Sequence, residues 1–379
     1  MQTAHESIDK ILPYGELIRG FANQSYISKG DLKKALRERG IVFQYSEKEF
    51  MVPCLSSLLL SPREFDNLRD CQNTREDNFK KSSSRIEWNS GKSLIDSLSD
   101  IDLQNVIPVD GINYELTKTP RFTLIENNSN HIRLDFEIER NDMNKSWYES
   151  KNHFVGNIVI EKVAENEIQI IKSHTSSETE ELANKFQKTI ITESKNNGYI
   201  QKEKKLNRIL FGDFTNEDRI VFFYRLSSNV DSLYFKFIDI TDMEFRPDDK
   251  IELHENIKWM HKKSELILKG NNIHDTFFIK EKEYHKYLQF WEMESSFKFN
   301  YINNSGTCNV VFSFSNFLKK GDLSEFEINI SNFSLDGGAT NSVQYKNQIK
   351  NKLLDIFENK KNETYHKFQE YLKTKYPST

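Results

Sequence analysis

His131-Ile-Arg-Leu-Asp-Phe-Glu-Ile-Glu-Arg140 is the stretch that decides the fold class of this 379-residue chain. Ile132, Leu134, Phe136 and Ile138 alternate with charged residues along it. A period of two places the apolar side chains on one face of a β-strand and the charged ones on the other. Such a strand is typical of an antiparallel sheet with one packed and one solvated face. The segment therefore predicts a β-rich body.

Further strands are predicted on both sides of this segment. Residues 121–126 precede it, and Asn127-Asn-Ser-Asn130 has the composition of a hairpin loop. Apolar runs predict additional strands at 155–160, 167–171, 220–226, 233–240, 297–302, 309–314 and 325–332. Helical spacing predicts helices at 182–190, 280–292 and 349–372.

The first 70 or so residues are predicted to be helical. Leu32 and Leu36 lie one turn apart in the segment 31–39, and Gly40 is placed to end that helix. Ser28 and Asp31 have the spacing of a capping box at its start. Residues 61–64, Ser-Pro-Arg-Glu, have a Ser cap, Pro at the first helical position and Glu at the third.

Composition predicts a linker after the helical region. Residues 73–92 are rich in Ser, Asn and charge and show no apolar periodicity, which is typical of a connecting segment. The predicted regions are a helical domain at 1–72, this linker, a β-meander with a helix at 93–205, and a second β-rich region with a C-terminal helix at 206–379. The fold class is therefore α+β.

Charge and cysteine content exclude several classes of protein. The formal charge is −4, from 53 basic and 57 acidic residues, so a nucleic-acid surface can only be a local patch. Cys54, Cys71 and Cys308 match neither a zinc spacing nor a disulfide framework, which favours a reducing compartment. The first sixteen residues lack the apolar stretch of a secretion signal, and no segment is apolar enough to span a membrane. We expect a cytoplasmic protein.

Common catalytic motifs are absent from the sequence. It has no phosphate-binding glycine loop, no nucleophile elbow and no HExxH metal motif. A metal-dependent nuclease of the restriction type requires a carboxylate followed by Glu-x-Lys on a strand. The Glu-x-Lys units at 193–195, 203–205 and 358–360 fall on helical or loop patterns. We expect no catalytic centre, cofactor or metal, with a divergent nuclease that uses Asp135 and Glu137 as the enzyme alternative.

A cluster of cations on the predicted N-terminal helix is the positive signal for function. Against Asp31 and Glu38, this helix carries five basic residues: Lys29, Lys33, Lys34, Arg37 and Arg39. The sequence resembles a SAP-type helix–extended loop–helix DNA-binding module, in which a second helix packs back through apolar residues, here Leu55 and Leu58. Such cations would contact phosphates and give salt-sensitive affinity without base specificity. A plain solvated helix face is the alternative.

A second basic cluster follows the predicted helix at 182–190. Lys202, Lys204 and Lys205 lie close together against Glu203. They are further candidates for nucleic-acid contacts, although surface solubility is the simpler explanation.

Several segments resemble the B component of a two-gene bacterial antiphage defence system of the GAPS type. They are residues 11–16 (ILPYGE), 27–41 (ISKGDLKKALRERGI), 58–65 (LLLSPREF), 209–220 (ILFGDFTNEDRI) and 257–260 (IKWM). The resemblance implies a partner subunit that is a restriction-endonuclease-like nuclease. It also implies that this chain binds the partner and helps to recognise invading nucleic acid. It supplies no catalytic residues.

The function predicted from the sequence is therefore a non-catalytic sensor and scaffold subunit in a hetero-complex. It would bind double-stranded DNA, possibly DNA ends, together with a nuclease subunit. Two rivals stay open. One is the divergent nuclease, and the other is a purely structural partner protein without affinity for nucleic acid.

Overall fold

The computed structural model describes residues 14–23, 27, 29–44, 47–65, 67–68, 78–103, 106, 114–141, 151–228, 234–270, 272–336 and 343–376. The α-helices are α1 (Glu16–Ala22), α2 (Lys29–Glu38), α3 (Lys48–Ser56), α4 (Leu94–Leu98), α5 (Ser177–Asn196), α6 (Asn216–Ser228), α7 (Phe277–Lys280), α8 (Phe317–Lys320) and α9 (Val343–Lys375). The strands are β1 (Lys80–Glu87), β2 (Tyr114–Leu116), β3 (Arg121–Ile125), β4 (Asn128–Asn141), β5 (Lys151–Ala164), β6 (Glu167–His174), β7 (Phe235–Pro247), β8 (Leu266–Lys269), β9 (Leu288–Tyr301), β10 (Asn304–Phe314) and β11 (Phe326–Leu335). The predicted α+β class, with N-terminal helices, an antiparallel sheet body and a long C-terminal helix, is confirmed.

All the named strands join one antiparallel sheet, in the order β2-β4-β5-β6-β1-β11-β10-β9-β7-β8, with β3 paired to β4. Strand β1 lies in the middle, where it pairs along its whole length with β6. Its pairing with β11 is short and joins Lys80 to Asn329 and Lys81 to Ile328. The two halves of the sheet therefore share few backbone hydrogen bonds.

The predicted linker is wrong for residues 80–87, because they form the central strand β1. The sequence Lys-Lys-Ser-Ser-Ser-Arg-Ile-Glu has little apolar content, yet five of its eight residues are buried. Both faces of the strand are covered by helices whose polar side chains bond to its serines. Since these partners are distant in sequence, local composition carries no sign of the strand. Residues 73–77 of the predicted linker lie outside the described residues.

Helices α5 and α9 cover opposite faces of the sheet at β1. Neighbouring residues of a strand point to opposite faces, so Ser83 lies on one face of the sheet and Ser84 on the other. Gln187 of α5 donates a hydrogen bond to the hydroxyl of Ser84 at 2.9 Å. Ser83 donates to the side chain of Asn362 of α9 at 2.9 Å. The long C-terminal helix also packs on β11 and on α6.

Three clusters of buried apolar residues form the cores. One lies among the N-terminal helices and extends from Ile18 to Leu68. The second joins β4, β5 and β6 to α5. The third is rich in phenylalanine and joins strands β7, β9, β10 and β11 to α6 and α9. Phe223 of α6, for example, packs edge-on against Phe290 of β9 with the ring centroids 4.9 Å apart.

The strand predicted at 220–226 is wrong, because these residues belong to α6. Its run of β-branched and aromatic residues favours a strand locally. The helix nevertheless begins at a cap, since the amide of Asp218 donates to the hydroxyl of Thr215 at 3.1 Å. The hydroxyl of Thr215 in turn donates to the Asp218 carboxylate at 2.8 Å. The Thr-x-x-Asp spacing was the sequence signal for a helix start.

The helix predicted at 280–292 is also wrong. Residues 282–287 form a 3-10 turn, and β9 begins at Leu288. The register of β9 against β7 shifts between Glu244 and Phe245, which places both Phe290 and Trp291 among the buried residues. This β-bulge interrupts the period of two, so that the apolar spacing resembles that of a helix.

Candidate nucleic-acid interface

Helix α2 positions the predicted cluster of cations. Leu32 and Leu36 are fully buried and anchor the helix on the N-terminal core. The helix ends at Gly40, which has a positive φ of 76°. The amide of Gly40 donates to the carbonyl of Arg37 at 2.8 Å, and the next amide donates to the carbonyl of Leu36 at 3.0 Å. This is a Schellman ending, as the sequence predicts. The start predicted at Ser28 lies outside the described residues.

Four of the five cations lie on the solvent side of α2. Lys29, Lys33 and Arg37 follow each other at one-turn spacing, and Lys34 is adjacent to this line. Lys34 and Arg37 are exposed, and neither forms an ion pair with any described residue. Lys29 pairs with Glu47, although both side chains are more than half exposed. Lys33 is half-buried and is already engaged in an interaction within the protein.

Arg39 is placed differently from the other four cations. Its Nε and Nη2 donate to the two carboxylate oxygens of Glu64 at 2.5 and 2.6 Å, and Nη2 also donates to the carbonyl of Leu59 at 2.6 Å. Both side chains are about one quarter exposed. Hydrogen bonds from Arg39 and then from Ser61 lower the pKa of Glu64 to about 2. Arg39 thus fastens the end of α2 to the start of the helical residues 62–65.

The predicted cap at Ser61 explains why Glu64 is in position to bind Arg39. The Ser61 amide donates to the Glu64 carboxylate at 2.7 Å, and the Glu64 amide donates to the Ser61 hydroxyl at 3.3 Å. This reciprocal pair is the capping box that the sequence predicts. One carboxylate therefore serves both the cap and Arg39.

Helix α3 packs back on α2, and the described residues 41–44 between the two helices form neither helix nor strand. Leu55 is buried in the shared core, and Leu58 packs against it. Pro53, a residue type that favours the first turn of a helix, lies further inside α3. The packing of these two helices is the arrangement on which the SAP-like interpretation depends. That interpretation stays a prediction.

The second predicted cluster lies on the loop that follows α5. Lys202 and Lys205 are exposed and form no ion pair with the described residues, whereas Lys204 pairs with Glu87 at 2.6 Å. The ammonium group of Lys195 donates to the backbone carbonyls of Lys202 and Lys204 at 2.8 and 2.7 Å. These contacts anchor the loop and leave the side chains of Lys202 and Lys205 exposed.

The carboxylates of the alternative nuclease site have other partners. Asp135 and Glu137 lie on the same face of β4, as the strand pattern predicts. Arg133 binds Asp135 at 2.6 Å, and His153 of β5 contacts Glu137 at 3.2 Å and Glu139 at 3.4 Å. The Glu-x-Lys sequences at 193–195, 203–205 and 358–360 lie on α5, on a loop and on α9. These three units therefore lack the strand position that a nuclease of that type requires. A fourth Glu-x-Lys, at 149–151, reaches β5 only with Lys151, and its Glu149 lies outside the described residues.

Two further clusters of charged residues are not visible in the sequence. Strand pairing places Asp242 opposite Glu294 and Glu244 opposite Glu292, so β7 and β9 carry four carboxylates together. Burial and the nearby Glu244 raise the pKa of Glu292 to about 7. This patch would repel a phosphate backbone. The second cluster, around a buried histidine at the middle of the sheet, is described below.

The geometry defines a class of protein, an α+β protein whose N-terminal helical domain presents exposed cations beside a broad antiparallel sheet. Residues 16–78 match the family model of the GAPS4b protein N-terminal domain. The match covers about one sixth of the chain and supports its recognition as the B component of a GAPS4b-type antiphage system. A search of the curated proteins finds no match. No helix among the described residues is long and apolar enough to cross a bilayer.

Proposed function

We propose that this chain is a non-catalytic sensor and scaffold subunit of an antiphage defence complex, and that it binds double-stranded DNA through α2. The observation that carries the proposal is the pair Lys34 and Arg37, which are exposed and without ion-pair partners among the described residues. They lie inside the segment that matches the GAPS4b N-terminal domain. Cations that are free of protein carboxylates keep their full charge for phosphates.

The proposal assigns different roles to the cations on α2. Lys34 and Arg37 contact phosphates directly, and Lys29 and Lys33 contribute to the local positive potential. Arg39 maintains the shape of the domain, because its guanidinium is occupied by Glu64. The cationic face contacts the DNA backbone rather than base edges, so binding tolerates many sequences.

Charge reversal on α2 tests the DNA-binding part of the proposal. The double variant Lys34→Glu/Arg37→Glu should lower the affinity for a linear duplex and reduce the slope of log K against log salt by about 2. The matched control reverses Lys236 and Lys298, two exposed cations paired across β7 and β9, with the same change in net charge. A wild-type affinity and slope in the α2 variant would overturn the proposal.

Lys202 and Lys205 allow a second test of DNA binding through exposed cations. If DNA also follows the loop after α5, Lys202→Ala/Lys205→Ala should reduce the salt slope further when it is combined with the α2 variant. If the combined variant matches the α2 variant alone, then these two lysines are solvated surface residues.

We also propose that this chain binds a nuclease subunit. The nuclease activity should reside in a second, restriction-endonuclease-like subunit that this chain binds. The isolated chain, incubated with DNA and Mg²⁺ or Mn²⁺, should therefore leave the DNA intact. Cleavage that disappears in Asp135→Ala would instead favour the divergent nuclease.

A further inference from the structure

His174, Glu180 and Glu327 come together at the seam between the two halves of the sheet. His174 is the last residue of β6, Glu180 lies in the first turn of α5, and Glu327 is the second residue of β11. One ligand atom of each residue lies within 4.8 Å of those of the other two. His174 and Glu327 belong to opposite halves of the sheet, which are joined by only two residue pairs between β1 and β11.

The two ring nitrogens of His174 have different partners, and one of them contacts a carboxylate of this group. Its Nδ1 lies 3.3 Å from the carbonyl of Ser176, so the Nδ1 proton is donated to the backbone. Its Nε2 then faces the carboxylate of Glu327 at 3.1 Å. A metal-binding histidine usually donates its other ring N–H to a backbone carbonyl or a carboxylate, which fixes the tautomer and the ring orientation.

Glu327 supplies the second observation that points to a ligand. Its side chain is only 4% exposed, and its Oε2 is buried without a hydrogen-bond partner among the described residues. A buried carboxylate oxygen that lacks a partner is costly. The nearby Lys172 is already bound to Glu325 and Asn184, at 2.9 and 2.8 Å. Nothing described therefore satisfies this oxygen.

Glu180 is the most exposed of the three residues. Its side chain is 16% exposed and pairs at 2.8 Å with Lys320, whose side chain is 42% exposed. Because this ion pair is partly solvated, a cation can displace the lysine from the carboxylate at low cost. One imidazole nitrogen and two carboxylates make a donor set for zinc-like divalent ions, with water as a fourth ligand.

We propose that His174, Glu180 and Glu327 bind one divalent transition-metal ion, with Zn²⁺ as the best-fitting class, which fastens the two halves of the sheet to each other. Zn–N and Zn–O distances are about 2.0–2.2 Å. Ligand atoms in a tetrahedral shell are then roughly 3.3–3.6 Å apart, so movements of about 1 Å in the two glutamates complete the site. The inference stands independently of DNA binding.

Metal content of the purified full-length chain tests this site. After treatment with a chelator and dialysis, the protein is titrated with Zn²⁺ and separately with Mn²⁺, and bound metal is measured by mass spectrometry. Wild type should bind one ion per chain, and Co²⁺ in its place should give the visible absorption of a tetrahedral site. Glu327→Gln and His174→Asn should each weaken binding at least tenfold.

Two other variants keep the test decisive. Glu180→Gln, on the helix surface, should fold normally and still weaken binding, so it covers the case in which a buried variant does not fold. Glu181→Gln removes the next carboxylate along α5, which is exposed, pairs with Lys185 and is not part of the group, and it should bind metal as wild type does. Failure of wild type to bind either ion would overturn the proposal. Equal binding by wild type, Glu180→Gln and Glu327→Gln would do the same, since the ion would then lie elsewhere.

Discussion

The contact between Arg39 and Glu64 allows the structural and the DNA-binding roles of the α2 cations to be separated. A pKa of about 2 for Glu64, against 4.5, corresponds to at most about 3 kcal/mol. Because both side chains are about one quarter exposed, solvent screening leaves about 1–2 kcal/mol for the pair. We therefore expect Arg39→Ala to destabilise the helical domain by about 1–2 kcal/mol.

Amide hydrogen exchange is the suitable assay for this effect. All four tryptophans, at 88, 147, 259 and 291, lie beyond the helical domain, so tryptophan fluorescence does not report on its unfolding. A loss of about 1–2 kcal/mol should accelerate exchange in residues 29–65 by about 5- to 30-fold. The affinity for DNA and its salt slope should stay at the wild-type values while the domain is folded.

The pH dependence of the same contact has a definite sign. The pKa of Glu64 is lower in the folded state, so its contribution to stability is complete above about pH 4.5 and is lost as the pH falls through about 2. The difference in protection between wild type and Glu64→Gln should therefore shrink from about pH 5 towards pH 2.

An exposed pair in the same domain is the control for Arg39. Arg19 contacts Glu16 at 3.0 Å, and these side chains are 48% and 84% exposed. Arg19→Ala should change protection by less than about 0.5 kcal/mol. The reasoning is refuted if Arg39→Ala leaves exchange unchanged and nevertheless weakens DNA binding, because Arg39 would then be a phosphate contact.

Two further predictions concern the body of the protein. Lys361→Met should destabilise the body by about 3–5 kcal/mol in chemical unfolding. Lys361 pairs with Glu358 and both side chains are 1% exposed, so the variant would leave Glu358 buried and charged. Adding Glu358→Leu should recover most of the loss, and equal stability of the single and double variants would contradict this. Gly156→Ala should cost about 1–3 kcal/mol, because a Cβ there would overlap the ring of Phe136 on the neighbouring strand. Gly91→Ala, at a position with open space, is the control, and an equal loss there would argue against the steric explanation.

The sequence predicts those parts of the fold whose causes are local. The alternation in β4 and the capping box at Ser61 depend on residues within a few positions of each other, and both are confirmed. The central strand β1 depends instead on helices α5 and α9, about 100 and 280 positions further along the chain. Since a strand buried between two polar helix faces shows no apolar period, local composition led to the wrong assignment as a linker.

The candidate sites divide in the same way, into residues that are close in sequence and residues that only the fold brings together. The cations of α2 are visible as a cluster because they lie within eleven residues of the sequence. Glu64, the partner of Arg39, is 25 positions away in the sequence. The sequence therefore groups Arg39 with the four neighbouring cations, whereas the structure separates it from them. His174 and Glu327 are 153 positions apart, and only the pairing of both halves of the sheet with β1 brings them together.

The most direct test of the account is binding of the purified chain to labelled double-stranded DNA over a series of salt concentrations. Blunt linear and closed circular forms of the same DNA are compared, so that a preference for ends is measured in the same experiment. The account predicts measurable affinity at low salt and a linear fall of log K with log salt. Absence of binding to both forms at low salt would contradict it and would favour a purely structural role in the complex.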